Sequence, residues 1–187
     1  MSKINSQGFT LIELLVVITI MVTLTSLFLV NFSSQGKARS LSIAKNNAVS
    51  DLRKMQSYAL TSRDIAPGTV SGFYGISFST NSPAFYTLLG YDNKNSPANT
   101  IATVYTPTNA VLSGIRVIRS DGTIVNPTYI EILFKTTYAR TVASYSGNGA
   151  LANKESDDTI RLTFTNVANN TLTTTIDING ITGNINQ

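Results

Sequence analysis

An apolar run that opens at Phe9 and continues to Phe32 constrains this chain more than any other feature, and it contains a single ionisable side chain, Glu13. About 20 consecutive apolar residues are enough to cross a bilayer as a helix. In hydrocarbon, backbone polar groups must be satisfied within the segment, so a helix is the structure the run predicts. A carboxylate inside such a helix costs about 2.5–3.5 kcal/mol on insertion scales. Glu13 is therefore a candidate functional residue whose partner has to be named. Snorkelling towards lipid head groups is the alternative for its side chain. An ordinary secretory signal has a shorter apolar core, roughly 7–15 residues, followed by a small-residue cleavage site. Here the small residues Thr25 and Ser26 fall inside the run. A plain N-terminal anchor fits the length, but it leaves Glu13 unexplained.

From Asn31 the polarity rises while helix signals persist to about Ser62. Leu41, Ala44, Ala48, Leu52, Met55 and Ala59 recur at spacings of three and four, one face of an amphipathic helix. Lys37, Arg39, Lys45, Asp51, Arg53 and Lys54 fall largely off that stripe and read as its solvated face. Met55 reads as core filler. No proline stands between Phe9 and Ile65, so nothing forces a kink.

After Ala66-Pro67-Gly68 the text changes period. Phe73–Ser79 alternates apolar and polar, Asn81-Ser82-Pro83 turns, and Phe85–Leu89 runs back, which predicts a hairpin. Gly114–Arg119 and Thr123–Val125 flank Asp121-Gly122, a strong tight-turn signal. Tyr129–Phe134 is a further strand candidate. Thr159–Phe164 and Leu172–Ile178 form a last hairpin around an expected Asn169-Asn170 turn. Asp92–Thr100 and Ala143–Asp158, rich in Ser, Asn, Gly and Ala, read as looser segments. One long helix followed by antiparallel strands is an α+β arrangement in which the helix covers a sheet face.

Composition narrows the chemistry. Only 13% of residues are charged, against roughly 25% in an average soluble chain, so the exposed surface must be built from uncharged polar residues such as Thr171-Leu172-Thr173-Thr174-Thr175. The chain contains no Cys and no His, which removes zinc clusters, disulfides, thiol chemistry and any His-dependent nucleophile. No catalytic residue, metal site or cofactor is expected. Glu155, Asp157 and Asp158 offer carboxylates for a hard cation, but without the spacing of a calcium loop, and they read as a solvated loop. The formal charge of +4 permits acidic partners without indicating nucleic acid. Tyr86, Tyr91, Tyr105, Tyr129, Tyr138 and Tyr145 read as half-buried strand packing.

The N-terminus resembles the prepilin signature of type IV pilins and type II secretion pseudopilins. In that family a short basic leader ends in Gly and is followed by Phe-Thr-Leu-Ile-Glu and an unbroken apolar stretch. Here Lys3 supplies the basic residue, and Gly8, Phe9, Thr10, Leu11, Ile12 and Glu13 match the motif residue by residue. The resemblance implies a pilin fold, a long N-terminal α-helix with a membrane half and an amphipathic half packed on an antiparallel β-sheet domain. It implies a leader at 1–8, a membrane and filament-core helix at 9–32, an amphipathic helix at 33–64 and a β-rich body at 65–187. It further implies cleavage between Gly8 and Phe9 by a prepilin peptidase, N-methylation of Phe9, and pairing of Glu13 with the cationic terminus of a neighbouring subunit. The partners it implies are other pilin subunits in a helical filament, the peptidase/methyltransferase, an inner-membrane assembly platform, and membrane lipid before assembly.

Asp51–Leu60, Tyr74–Phe78, Tyr86-Thr87-Leu88 with Asp92, and the ending Ile178–Asn184 are similar to GspH/FimT-type minor pilins. DNA-binding members of that group carry arginines beside the terminal Gly. Ile181 and Thr182 stand there in this chain, which leaves Arg116, Arg119, Arg140 and Arg161 as the alternative cations for a nucleic acid. The resemblance therefore implies a minor pilin or pseudopilin, with a filament-displayed receptor or a major pilin as alternatives.

Overall fold

Unbroken helix signals and the absence of proline produce one long helix, α1 (Leu11–Thr61). It ends where Ser62 adopts a left-handed φ of 47°, a conformation that stops helical hydrogen bonding and is usually given to Gly. The computed structural model describes residues 10–62, 64–66, 69–70, 72–92, 98–136, 141–147, 150–151, 158–180 and 183–186. Packing divides the chain into two units, Met1–Gly36 and Lys37–Gln187.

In the first unit, residues 11–28 of α1 are exposed throughout. Leu11–Phe28 is long and apolar enough to cross a membrane, and none of it is buried inside the chain. Its hydroxyls are satisfied by the helix itself. Thr19 Oγ1 donates to the Leu15 carbonyl at 2.8 Å and Thr25 Oγ1 to Met21 at 2.7 Å. Back-bonding of this kind keeps those hydroxyls from being stranded in hydrocarbon.

Among the described residues, the second unit holds the rest of α1 and thirteen strands. They are β1 (Asp64–Ala66), β2 (Thr69–Val70), β3 (Phe73–Ser79), β4 (Phe85–Tyr91), β5 (Asn99–Tyr105), β6 (Ala110–Ile118), β7 (Ile124–Val125), β8 (Tyr129–Lys135), β9 (Thr141–Gly147), β10 (Ala150–Leu151), β11 (Thr159–Asn166), β12 (Asn169–Asn179) and β13 (Ile185–Asn186). All pairings are antiparallel. They form a six-stranded sheet in the order β10-β9-β8-β3-β4-β5, a five-stranded sheet β13-β12-β11-β6-β7, and the small β1-β2 hairpin.

The α+β reading, a long N-terminal helix packed on antiparallel sheet, is what the structure shows. One continuous core joins the parts. Leu41, Ala44, Ala48, Leu52, Met55 and Ala59 of α1 meet Tyr74, Ile76 and Phe78 of β3, Ile130, Ile132 and Phe134 of β8, and Ile160, Leu162 and Phe164 of β11. The alanines let the sheets come close to the helix. Gly75 serves the same end inside the six-stranded sheet, because a Cβ there would lie 2.2 Å from the Ile132 carbonyl oxygen.

The strand expectations at Phe73–Ser79, Phe85–Leu89, Gly114–Arg119 with its Asp121-Gly122 turn, Tyr129–Phe134 and Thr159–Phe164 hold, most with extensions of one or more residues. Three need correction. The looser segments contain strands: β5 starts at Asn99, and β9 with β10 occupies much of 143–151. Both sit at the ends of the six-stranded sheet, where pairing with β4 and β8 supplies hydrogen bonds that local propensity does not announce. The last hairpin turns at Val167-Ala168 instead of Asn169-Asn170, because Asn166 Oδ1 accepts the N–H groups of Ala168 and Asn169 at 3.0 and 3.1 Å and closes the turn early. Asp158 is buried, 3% exposed, and accepts the Ser120 N–H at Oδ1, so it belongs to no solvated loop. Glu155 and Asp157 lie outside the described residues.

Candidate functional site

Thr10 and Glu13 form a reciprocal cap at the start of α1. Glu13 Oε2 accepts the Thr10 N–H at 2.9 Å and its Oγ1 hydroxyl at 2.8 Å, while Glu13 N–H donates to Thr10 Oγ1 at 3.3 Å. This is a capping box, in which two orphan donors of a helix terminus are satisfied at once. It also places the carboxylate at the positive end of the helix dipole, where negative charge is favoured. The motif Thr-x-x-Glu ahead of an apolar run was readable from the sequence, and the sequence reading passed over it. Gly8 and Phe9 lie outside the described residues. The cap uses only the Thr10 amide and hydroxyl, so a chain cut before Phe9 would keep every one of its bonds.

In the second unit the titratable groups are mostly spent on structure. Asp51 of α1 accepts the hydroxyl of Tyr86 at 2.7 Å. Burial, followed by that carboxylate, raises the Tyr86 pKa. Glu131 accepts the hydroxyls of Tyr91, at 2.9 Å, and of Tyr129. Burial first, and then Glu131, raises both of those phenols as well. Half-buried packing describes Tyr129, while Tyr86 and Tyr91 are buried and Tyr105 is 73% exposed. Tyr138 and the Tyr145 side chain lie outside what is described.

Of the cations that might serve a nucleic acid, Arg161 is held in a bidentate pair with Asp177, with Nε and Nη2 each 2.7 Å from a carboxylate oxygen. That hydrogen bonding lowers the Asp177 pKa. Arg116 stands directly opposite Arg161 across the β6–β11 pair and is exposed, and Arg140 lies outside the described residues. Near the C-terminus, Gly183 and Asn184 line an open cleft of about 410 Å³ with Ile185 and with Arg53 and Gln56 of α1. Among the described residues, Arg53 is the one cation in that lining. Among the described residues, no three His, Cys, Asp or Glu side chains converge to hold a metal ion, and no cluster has the geometry of a catalytic site.

The site that remains is the capped apolar helix. The family model for the prokaryotic N-terminal methylation motif matches residues 3–29. This is the motif typical of type IV pilin-like proteins. The match covers Lys3, the Gly8–Glu13 hexamer and the whole of the exposed apolar stretch Leu11–Phe28. It is consistent with processing by the peptidase and methyltransferase machinery that goes with the motif. No curated protein and no solved structure matches the chain.

Proposed function

We propose that this chain is a structural subunit of a type IV pilus or type II secretion-like filament, a minor pilin or pseudopilin of the GspH/FimT type. A prepilin peptidase cuts between Gly8 and Phe9 and the new amino group of Phe9 is methylated. Gly8 suits the position before the cut because it has no Cβ to obstruct backbone access. The segment 9–32 waits in the inner membrane and then packs with the same segment of other subunits, while the β-rich body, 65–187, faces outward.

The observation that carries this reading is the combination at the N-terminus. A methylation motif over residues 3–29 coincides with a helix whose apolar side chains are exposed at every position from Leu11 to Phe28. Such a surface suits lipid first and neighbouring apolar helices afterwards. Glu13 then pairs with the cationic terminus of the next subunit. An ion pair taken out of water adds little net stability but penalises every other register heavily, since breaking one strands a buried charge at about 3–5 kcal/mol. The DNA-receptor alternative loses one of its four cations to Asp177.

Quantitative mass spectrometry of filaments sheared from the native cell tests the reading. The expected N-terminal peptide begins at N-methylated Phe9, at low abundance relative to a major subunit. Glu13→Ala should leave cleavage intact and abolish incorporation. Recovery of the chain only in membranes, with Met1–Gly8 attached, would sink the proposal.

A further inference from the structure

β12 is paired with β11 along one side, in unbroken register from Thr173 to Asn179. On its other side, among the described residues, β13 takes up only Asp177 and Ile178. The backbone of Asn179 faces that second side, because its N–H donates to the Asn184 carbonyl and its own carbonyl accepts the Gly183 N–H, both at 2.9 Å. Backbone groups alternate along a strand with a period of two, so those of Asp177, Thr175, Thr173 and Thr171 face the same way. The Thr171 N–H is taken by Asn169 Oδ1 at 3.1 Å. The N–H and C=O groups of Thr173 and Thr175 are left at an edge with no backbone partner among the described residues, and both residues are exposed.

Natural proteins protect such an edge with lysine, proline, a bulge or an inward charge. Between Asn169 and Ile176 there is no charged residue and no proline. Beside the edge runs a groove of about 180 Å³, with Ala38, Leu41, Ser42 and Lys45 of α1 on one wall and Leu172 and Thr174 of β12 on the other.

We propose that this edge is a docking site for an extended segment of a partner protein, which adds to the five-stranded sheet antiparallel to β12 and continues the line of β13. Main-chain hydrogen bonds to Thr173 and Thr175 supply the affinity, and alternate side chains entering the groove supply the selectivity. The groove sets the chemistry of the occupant. Small aliphatic side chains meet Leu41 and Leu172, and a carboxylate meets Lys45, beside which the groove lining contains no acid among the described residues. The open stretch of β12 in a second copy does not meet that requirement, since Asn169–Ile176 contains no acid and Asp177 beyond it is held by Arg161. The proposal goes beyond the filament reading and does not depend on leader processing.

The test titrates the full-length protein in detergent micelles with a fluorescein-labelled peptide that alternates valine and threonine around one central glutamate, and with its lysine counterpart. The glutamate peptide should bind saturably and about tenfold more tightly, the scale of one close charge pair. Amide exchange read by NMR should slow at Thr173 and Thr175 and stay unchanged at Leu172 and Thr174. Thr173→Pro removes an edge N–H that the sheet does not use, a position where proline is tolerated. It should abolish peptide binding and leave the melting temperature close to that of the unmodified chain. Lys45→Glu, a substitution in α1, should reverse the preference between the two peptides. Absence of binding, equal affinity for both peptides, or protection at other amides would overturn the proposal. Protection of Thr173 and Thr175 that grows with protein concentration alone would assign the edge to a second copy and overturn the partner. None of these readouts reports on Gly8 or Phe9, so failure here leaves the filament reading intact.

Discussion

Between Leu11 and Phe28 every side chain of α1 is exposed, whereas Leu41, Ala44, Ala48, Leu52, Met55 and Ala59, further along the same helix, are each 4% exposed or less. The first stretch is apolar around its whole circumference. The second is apolar along one stripe. A stripe commits a helix to a core within its own chain, while an apolar circumference leaves the helix to find its surroundings elsewhere. Apolar content is thus a poor guide to intramolecular stability, and its distribution around the helix is a good one. The same amino-acid types hold the fold together in one region and await lipid or another protein in the other.

The comparison breaks most visibly at Leu52. Leu52→Ala removes a fully buried side chain from the core shared by α1 and both large sheets and should cost about 2–5 kcal/mol. Val17→Ala, in the exposed stretch, should change stability by less than about 0.5 kcal/mol. Thermal unfolding of the two variants in the same micelles makes the measurement. Similar losses would show that the exposed stretch carries packing energy of its own and would remove the distinction.

Asn166 sharpens the comparison, since it fastens the buried stretch of α1 with polar groups. Its Nδ2 donates to the Lys37 carbonyl at 3.2 Å and to Ser40 Oγ at 3.3 Å, while Oδ1 closes the Val167-Ala168 turn. The residue is completely buried. Asn166→Ala would strand those partners, and a stranded buried polar group costs about 1–3 kcal/mol. Chemical denaturation should show that loss. A loss well under the lower figure would mean that the turn and helix hold without it.

What was legible in the sequence follows the same division. The apolar run, the Leu41–Ala59 stripe and the alternating strands announce themselves because a local period encodes burial on one face. The capping box at Thr10 and Glu13 was equally local and was missed only because Glu13 drew notice for its charge. Asn166 could not be read, since its partner Lys37 lies far away in sequence and a lone Asn near a turn predicts only a turn. The strands β5 and β9 escaped because each is held by a neighbour across the sheet. The open edge at Thr173 and Thr175 is invisible for the opposite reason. A sequence does not state which part of a strand its neighbour pairs with, and among the described residues β13 pairs with Asp177 and Ile178 alone.

The smallest expected effect is also the one that separates the two stretches by pH. Burial, and then the Asp51 carboxylate, hold the Tyr86 phenol above its ordinary pKa, which is near 10. The folded chain therefore keeps a proton that the unfolded chain gives up above about pH 10. In that range the unfolded state binds fewer protons, so stability falls as pH rises, by up to about 1.4 kcal/mol per pH unit for each such group. Tyr91, which is buried, and Tyr129, which is half-buried, both bonded to Glu131, act in the same direction. Tyr86→Phe should cost about 1.5 kcal/mol at neutral pH, the low end for a hydrogen bond to a charged group, and should make the alkaline loss shallower. The stretch from Leu11 to Phe28 contains no tyrosine, so this loss must originate wholly in the unit that packs its apolar stripe. Unfolding midpoints taken from pH 7 to pH 11 for both chains decide it. An unchanged alkaline slope in Tyr86→Phe would mean that the phenol reaches water in the folded chain, and the bond that ties α1 to β4 through Asp51 would have to be given up.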